Sequence, residues 1–320
     1  MERRTGLEVD LKSIRMRTPL MTASGTSGTK GEVENLRRGE RVLGSLGAFV
    51  TKGVSLEPRR GNPQQRLVET RTGCINSIGL QNSGARVFMS EELPRMAAYG
   101  LPLIVNISAG SVEEFGKLAE YLAEHDNNMI SGLEINVSCP NIREGGMAFG
   151  TNPRLVEKIV KTIRKATRGR YVIITKLTPN ITDITVPARA AIAGGTDALS
   201  MINTVRGMAI DIEKQKPTLG NVVGGLSGPA IKPIGLAMVY QCFKGIPECR
   251  DRRVPIVGIG GITYWQDALE YIMAGATAVG IGTAWFVDTD VFANVAQGML
   301  AYLKKRNTTI DKLVGIAHKA

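Results

Sequence analysis

Eight places along the chain put a basic, amide, hydroxyl, thiol or glycine residue at the end of a short apolar run: Ser24, Lys52, Asn106, Asn136 followed by Cys139, Lys176, Asn203, Gly260–Gly261, and Gly282–Thr283. If these runs are strands, alternation puts Lys52 on the same face as Val50, Asn106 with Ile104, Lys176 with Ile174 and Asn203 with Met201. The polar residues then point inward. An ammonium held inside a protein without a partner is costly, so Lys52 and Lys176 call for an anionic ligand or a salt bridge. Glu134, inward on a neighbouring strand, could serve Lys176. One asparagine or serine at a strand end is an ordinary turn residue. A whole rim of them is the composition of a binding or catalytic site.

Two of the runs end in glycine: Gly258-Ile-Gly-Gly261 and Gly280-Ile-Gly-Thr-Ala284. Glycine permits a tight strand-to-helix turn. It also lets backbone N–H groups approach an anion closely, with the dipole of a following helix behind them. Paired after the last two strands of a barrel, such turns are the usual phosphate site of that fold. A phosphorylated cofactor is implied, and FMN is the common one with this arrangement. No Gly-x-Gly-x-x-Gly motif follows the first strand, so direct NAD binding is not supported.

The elements that must position these residues are eight apolar runs: Pro19–Ala23, Ala48–Lys52, Leu103–Asn106, Gly132–Val137, Tyr171–Leu177, Ala198–Asn203, Pro255–Ile259 and Ala278–Ile281. Continuous apolar strands suit a parallel sheet buried on both faces. Helical stripes lie between them: Phe115, Leu118, Ala119 and Leu122; then Leu155, Val156, Ile159, Val160 and Ile163; then a third over 265–274. The expected fold is α/β, a (β/α)8 TIM barrel forming one FMN-binding domain over 1–320. Two long Gly-, Pro- and Asn-rich connections, 54–102 and 204–255, should cover the C-terminal mouth. The alternation of Leu7, Val9 and Leu11, then Ile14 and Met16, predicts a hairpin at the bottom. Ile310, Leu313, Val314 and Ala317 predict a final helical stripe packed on the shell.

The chain carries 40 basic and 29 acidic residues in 320, a net charge of +11. The basic residues fall in small clusters, such as Arg250, Arg252 and Arg253, rather than in the longer blocks of a binding tail. They read as solvated faces, so no nucleic-acid partner is expected. Cys74, Cys139, Cys242 and Cys249 are scattered without a CxxC pair, which supports neither a metal site nor an iron–sulfur cluster on this chain. The first residues are polar and no apolar run is long enough for a membrane span. A reduced, cytoplasmic setting without membrane attachment is expected.

Asn136-Val-Ser-Cys139-Pro-Asn141 resembles the active-site segment of class 1 dihydroorotate dehydrogenases. Thr22-Ala-Ser-Gly25, Asn76-Ser-Ile-Gly-Leu-Gln-Asn82, Lys176-Leu-Thr-Pro-Asn180, Met201-Ile-Asn-Thr204 and Gly224-Gly-Leu-Ser-Gly-Pro-Ala-Ile-Lys-Pro233 agree with it in order along nearly the whole chain. Class 2 enzymes are similar but carry serine in place of the cysteine and an N-terminal membrane helix. Gly145-Gly-Met-Ala-Phe-Gly150 resembles the B-type subfamily. Small departures are Thr26-Ser27, where a Cys-Phe pair is more familiar, and Cys74, where an apolar residue is more usual.

The resemblance implies that FMN is held by Ser24, Lys52, Gly53, Asn106, Asn136, Lys176, Ile202, Gly228, Gly260, Gly261, Gly282 and Thr283. It implies that dihydroorotate or orotate is held by Lys52, Asn76, Ser77, Ile78, Gly79, Leu80, Asn136, Asn203 and Thr204, with Asn141 as a further ligand. Cys139 would be the base that takes the C5 proton while the C6 hydride goes to the flavin. Gly145 and Gly146 would let its loop open and close. Electrons would leave through an electron-transfer subunit carrying FAD and a [2Fe-2S] cluster to NAD, with two copies of each chain forming a heterotetramer around a homodimer. The rival readings are an A-type homodimer reducing fumarate, an FMN-dependent transfer-RNA dihydrouridine synthase and a non-catalytic binding barrel. The residues after Thr283 are too few for the helical RNA-binding domain of the synthases.

Overall fold

A computed structural model describes residues 5–27, 40–138 and 149–319. Eight parallel strands form the centre: β1 (Leu20–Thr22), β2 (Phe49–Val50), β3 (Leu103–Ile107), β4 (Ile130–Asn136), β5 (Val172–Leu177), β6 (Ala198–Met201), β7 (Ile256–Ile259) and β8 (Ala276–Ile281). Each pairs with its neighbours in chain order, and β8 pairs with β1. A parallel bridge between Met21 and Ala48 closes the ring between β1 and β2. Every expected strand is present within a few residues of its expected bounds. The strands β1, β3, β5 and β8 are buried at every position, as a sheet covered on both faces requires.

The helices between the strands follow the expected stripes. Helix Val112–His125 buries Phe115, Leu118, Ala119 and Leu122, and the Ser111 side chain accepts from the Glu114 amide to cap it. Helix Pro153–Ala166 begins on a proline, is capped by the Asn152 carboxamide, and buries Val156, Ile159, Val160 and Ile163. Leu155 is only partly buried. Among the described residues, no helix is long and apolar enough to cross a membrane.

The two long connections are not independent loops. Leu67–Thr70 and Gly73–Asn76 from the first pair with Val223–Ser227 and Val205–Met208 from the second in one four-stranded antiparallel sheet. This sheet lies at the C-terminal ends of the barrel strands, where Ser227 meets Thr283 just after β8. The hairpin Val9–Leu11 and Ile14–Met16 buries Val9, Leu11, Ile14 and Met16 at the opposite end. Its Lys12 ammonium donates to the Arg253 carbonyl ahead of β7.

One expectation fails at the C-terminus. Ile310 and Leu313 are buried in a helix, but that helix stops at Leu313 and a separate 3-10 turn covers Ile316–His318. Gly315 sits between them at φ +70°, a left-handed conformation that ends the helix. The stripe therefore breaks before Ala317, which is exposed.

Candidate active site

The polar rim is built on four consecutive strands. Asn106 on β3, Glu134 and Asn136 on β4, Lys176 on β5 and Ser200 on β6 are brought side by side by parallel registers that pair Asn106 with Glu134 and Asn136 with Lys176. Asn106 Nδ2 donates to Glu134 Oε2 at 2.7 Å, and Ser200 Oγ donates to Glu134 Oε1 at 2.8 Å. The Lys176 ammonium lies 3.7 Å from Glu134 and donates to Ser24 Oγ, after β1, at 2.8 Å. Asn203 Nδ2 donates to Asn136 Oδ1 at 3.2 Å, joining the ends of β6 and β4.

Lys52 follows β2, partly buried. The segment it belongs to runs beside β3: the Thr51 amide donates to Ile104, and Val54 donates to the Asn106 carbonyl. Gly53 sits in a crowded corner. A β-carbon there would come within 3.2 Å of Asn106 Oδ1 and 3.3 Å of Leu80. Leu80 reaches this point because Gly79 and Leu80 both adopt positive φ, at +76° and +55°. From the same segment, Asn76 Nδ2 donates to the Gly225 carbonyl, and Thr204 packs against Gly225. Ser77 is buried, whereas Ile78 is 40% exposed. The expected substrate segment is thus held to the rim by backbone geometry, with the Ile78 side chain turned to solvent.

A second group consists almost wholly of backbone. Gly228, Gly260 and Gly261 have φ of +97°, +131° and +70°. A β-carbon on Gly261 would fall 2.9 Å from the Gly228 carbonyl oxygen and 2.8 Å from Lys232 Cβ. One on Gly282 would meet Ala23 and Thr26 at 3.2 Å. Thr283 Oγ1 donates to Ser227 Oγ at 2.8 Å, and Cys74 Sγ lies 3.3 Å from the same oxygen. Loops after β1, β6, β7 and β8 therefore converge on one glycine-lined corner. The Ile202 side chain is buried beside Gly260.

Several supports of this corner carry no sequence signal on a strand end. The Tyr271 hydroxyl, on helix Trp265–Ala274, donates to the Gly260 carbonyl at 2.8 Å. Burial of Tyr271, with Asp267 and Glu270 nearby, pushes its hydroxyl well above the ordinary tyrosine range. Asp267 accepts from the Lys232 ammonium at 2.6 Å and from the amides of Thr263 and Tyr264. Burial opposes its charge, but the hydrogen bonds from Lys232, Tyr264 and Thr263 outweigh burial and hold the carboxyl below its usual value. Because Asp267 occupies those amides, the start of the helix after β7 is already capped. The helix after β8 is a single turn, Ala284–Val287. The dipoles anticipated behind the glycine turns thus contribute little, and the glycine backbone itself is left as the anion-binding surface.

The site fits a flavin mononucleotide. The glycine corner offers backbone without side chains, as a phosphate needs. Beside it, none of the described residues lies within 4 Å of where a β-carbon of Gly25 would stand. Ser77, Ser108 and Ser138 bury hydroxyls without a hydrogen-bond partner among the described residues. Ser108 lies next to Gly53, 3.6 Å from the position of its β-carbon. Buried polar groups are normally satisfied, so orphans at one mouth mark where a polar ligand belongs.

Cys139, Asn141, Gly145 and Gly146 lie outside the described residues. Cys242 and Cys249 are fully buried away from the mouth, in and just after helix Lys232–Gly245. Burial pushes both thiols up, Cys249 to about 12, so both are inert at neutral pH.

Residues 6–303 match the family model described as dihydroorotate dehydrogenase. The chain is similar to the dihydroorotate dehydrogenase B (NAD(+)) catalytic subunit of Pelobacter propionicus, 46% identical over 310 residues that make up 97% of each chain. It is similar to the subunit of the same description from Maridesulfovibrio salexigens at 44% over 97% of each chain. The one from Thermoanaerobacter sp. (strain X514) is 45% identical over 97% of this chain and 98% of the relative.

Proposed function

The chain belongs to the dihydroorotate dehydrogenase family, and from that premise we propose that it is the catalytic subunit of a B-type complex. It oxidises dihydroorotate to orotate in pyrimidine synthesis with bound FMN, and a partner subunit carrying FAD and a [2Fe-2S] cluster passes the electrons to NAD. The observation that carries this reading is the meeting of Ser24, Asn106, Asn136, Lys176 and Asn203 at the same barrel mouth as the glycine corner around Gly261. The relatives, described as B (NAD(+)) catalytic subunits, favour the B-type over the fumarate-reducing A-type.

The reaction removes a proton from C5 and a hydride from C6. FMN, when bound, supplies the two-electron acceptor. Cys139, three residues beyond Asn136 at the end of β4, is assigned as the base on C5. An ordinary thiol has a pKa of about 8.5, so a few per cent is thiolate at neutral pH, enough to act where the substrate is held still. Lys52 fixes the substrate carboxylate, and Asn76, Asn136, Asn203 and Thr204 fix its amide edges. Ser77 to Leu80 close over it. Ser24, Lys52, Gly53, Asn106, Asn136, Lys176 and Ile202 hold the flavin ring, and Gly228, Gly260, Gly261, Gly282 and Thr283 hold its phosphate. Two such subunits and two electron-transfer subunits form the assembly.

The test assays the isolated chain with dihydroorotate against NAD, fumarate and an artificial dye, and then adds the electron-transfer subunit. Turnover with the dye alone, and with NAD only once the partner is present, is the expected outcome. Rapid fumarate reduction would favour the A-type reading, and NAD reduction by the lone chain would refute this route of electron exit. Cys139→Ser is expected to keep FMN but lose most turnover at neutral pH, with residual activity rising steeply as pH rises. Near wild-type turnover of that variant at neutral pH would reject Cys139 as the base.

A further inference from the structure

Glu134 is a charged side chain of the rim that the flavin and substrate assignments leave without a role. It is 2% exposed, in a barrel interior that is ordinarily filled by branched apolar side chains. A buried carboxylate there is strongly disfavoured unless its oxygens are paired. Both are. Oε1 accepts from Ser200, and Oε2 accepts from Asn106 and faces the Lys176 ammonium. Four adjacent strands thus contribute to one closed set of polar contacts, and such a set is rigid when every member is satisfied.

The set has two consequences at the mouth. Because the Asn106 Nδ2 is taken by Glu134, its carbonyl oxygen is turned the other way, toward Gly53 and Leu80. Asn106 therefore turns its acceptor oxygen toward whatever lies there. The Lys176 ammonium is shared between Ser24 and Glu134. It meets a ligand as half of an ion pair, with its charge offset from behind.

We propose that Glu134 is a positioning residue that orients Asn106 and Lys176 toward the flavin ring and, by offsetting the Lys176 charge, lowers the flavin's reduction potential. This rests on the FMN reading given above. Reduction adds negative charge to the flavin, and a neighbouring cation favours it, while a buried anion opposes it. Removing Glu134 leaves the cation unopposed, and removing Lys176 leaves the anion unopposed. The two substitutions should therefore move the potential in opposite directions, which a merely structural role for Glu134 does not require.

The experiment measures the midpoint potential and the FMN affinity of the FMN-loaded chain for the wild type, Glu134→Gln, Lys176→Gln and the double variant. Glutamine suits the site because its carbonyl can still accept from Asn106 and its amide can donate to Ser200, whose hydroxyl rotates to accept. In Glu134→Gln, the reduced-to-oxidised ratio at a fixed poise is expected to rise tenfold or more, about 30 mV for a two-electron couple. Lys176→Gln is expected to shift it tenfold or more the other way. If Glu134→Gln does not fold, the double variant is compared with Lys176→Gln, and loss of Glu134 should again raise the ratio. An unchanged or lowered potential on removing Glu134 in either background overturns the proposal while leaving the FMN reading intact. Failure of the wild type to take up FMN overturns both.

Discussion

The two halves of the mouth solve ligand binding by opposite means. On β3 to β6 the wall is made of charged and polar side chains held against one another: Asn106, Glu134, Lys176 and Ser200. On the side of β7, β8 and the covering sheet, the corner is made of backbone from which side chains are excluded: Gly228, Gly260, Gly261 and Gly282. The wall is already largely paired, so a ligand there adds to an existing network. The corner has geometry but little free charge among the described residues beside it, since Lys232 is engaged by Asp267 and Glu270. The wall can tune chemistry through electrostatics, and the corner can mainly grip.

The sharpest way to break this contrast is Gly261→Ala. At φ +70° any side chain adds strain of about 1–3 kcal/mol, and the new methyl would press on the Gly228 carbonyl and Lys232. FMN affinity, measured by quenching of flavin fluorescence, is expected to fall by about a hundredfold, with the potential of the remaining bound flavin unchanged. A shifted potential at full affinity would assign the corner a tuning role instead.

Lys52→Ala tests the wall from the substrate side. Loss of a charge-assisted hydrogen bond of about 1.5–3 kcal/mol should raise the KM for dihydroorotate by about ten- to a hundredfold and loosen FMN to a smaller degree. Unchanged KM and unchanged FMN affinity together would remove Lys52 from the site.

Asp267→Asn tests the scaffold behind the corner and should have the smallest functional effect. The Lys232–Asp267 contact is mostly buried, and its loss should cost about 1–3 kcal/mol of stability, read as a lower Tm. Asp267 is held below its unfolded value, which is about 3.9. Its contribution is therefore complete above that pH and is lost as pH falls through the lower folded value. The gap in Tm between wild type and variant should close only in strong acid. A gap that is already closed at pH 5 would show that the ion pair does not stabilise the fold.

How much of this was legible in the sequence differs between the two regions. The eight strands and the glycine turns were, because continuous apolar runs and Gly-Gly ends have few other causes. Asn106 and Lys176 were legible from alternation along single strands, and Asn136 from its place at a strand end. Glu134 was legible as a partner for Lys176, and the salt bridge is present, but the other partners were not. Ser200 lies inside β6 rather than at its end, and Tyr271 looks like one more apolar residue on a helix stripe. Contacts between strands depend on register, which no single run encodes. The covering sheet was legible only as two loops, because its strands come from 54–102 and 204–255 and form only by pairing with each other. The final helix was overestimated because the stripe of Ile310 to Ala317 hid the break that Gly315 imposes.

The central claim is that this mouth holds FMN where dihydroorotate can reduce it. The most direct measurement is an anaerobic titration of the FMN-loaded chain with dihydroorotate, without its partner and without any electron acceptor. The account predicts that the flavin absorbance bleaches in proportion to dihydroorotate added, that orotate appears in equal amount, and that Cys139→Ser bleaches far more slowly at neutral pH. A flavin spectrum that stays oxidised with excess dihydroorotate present would contradict it.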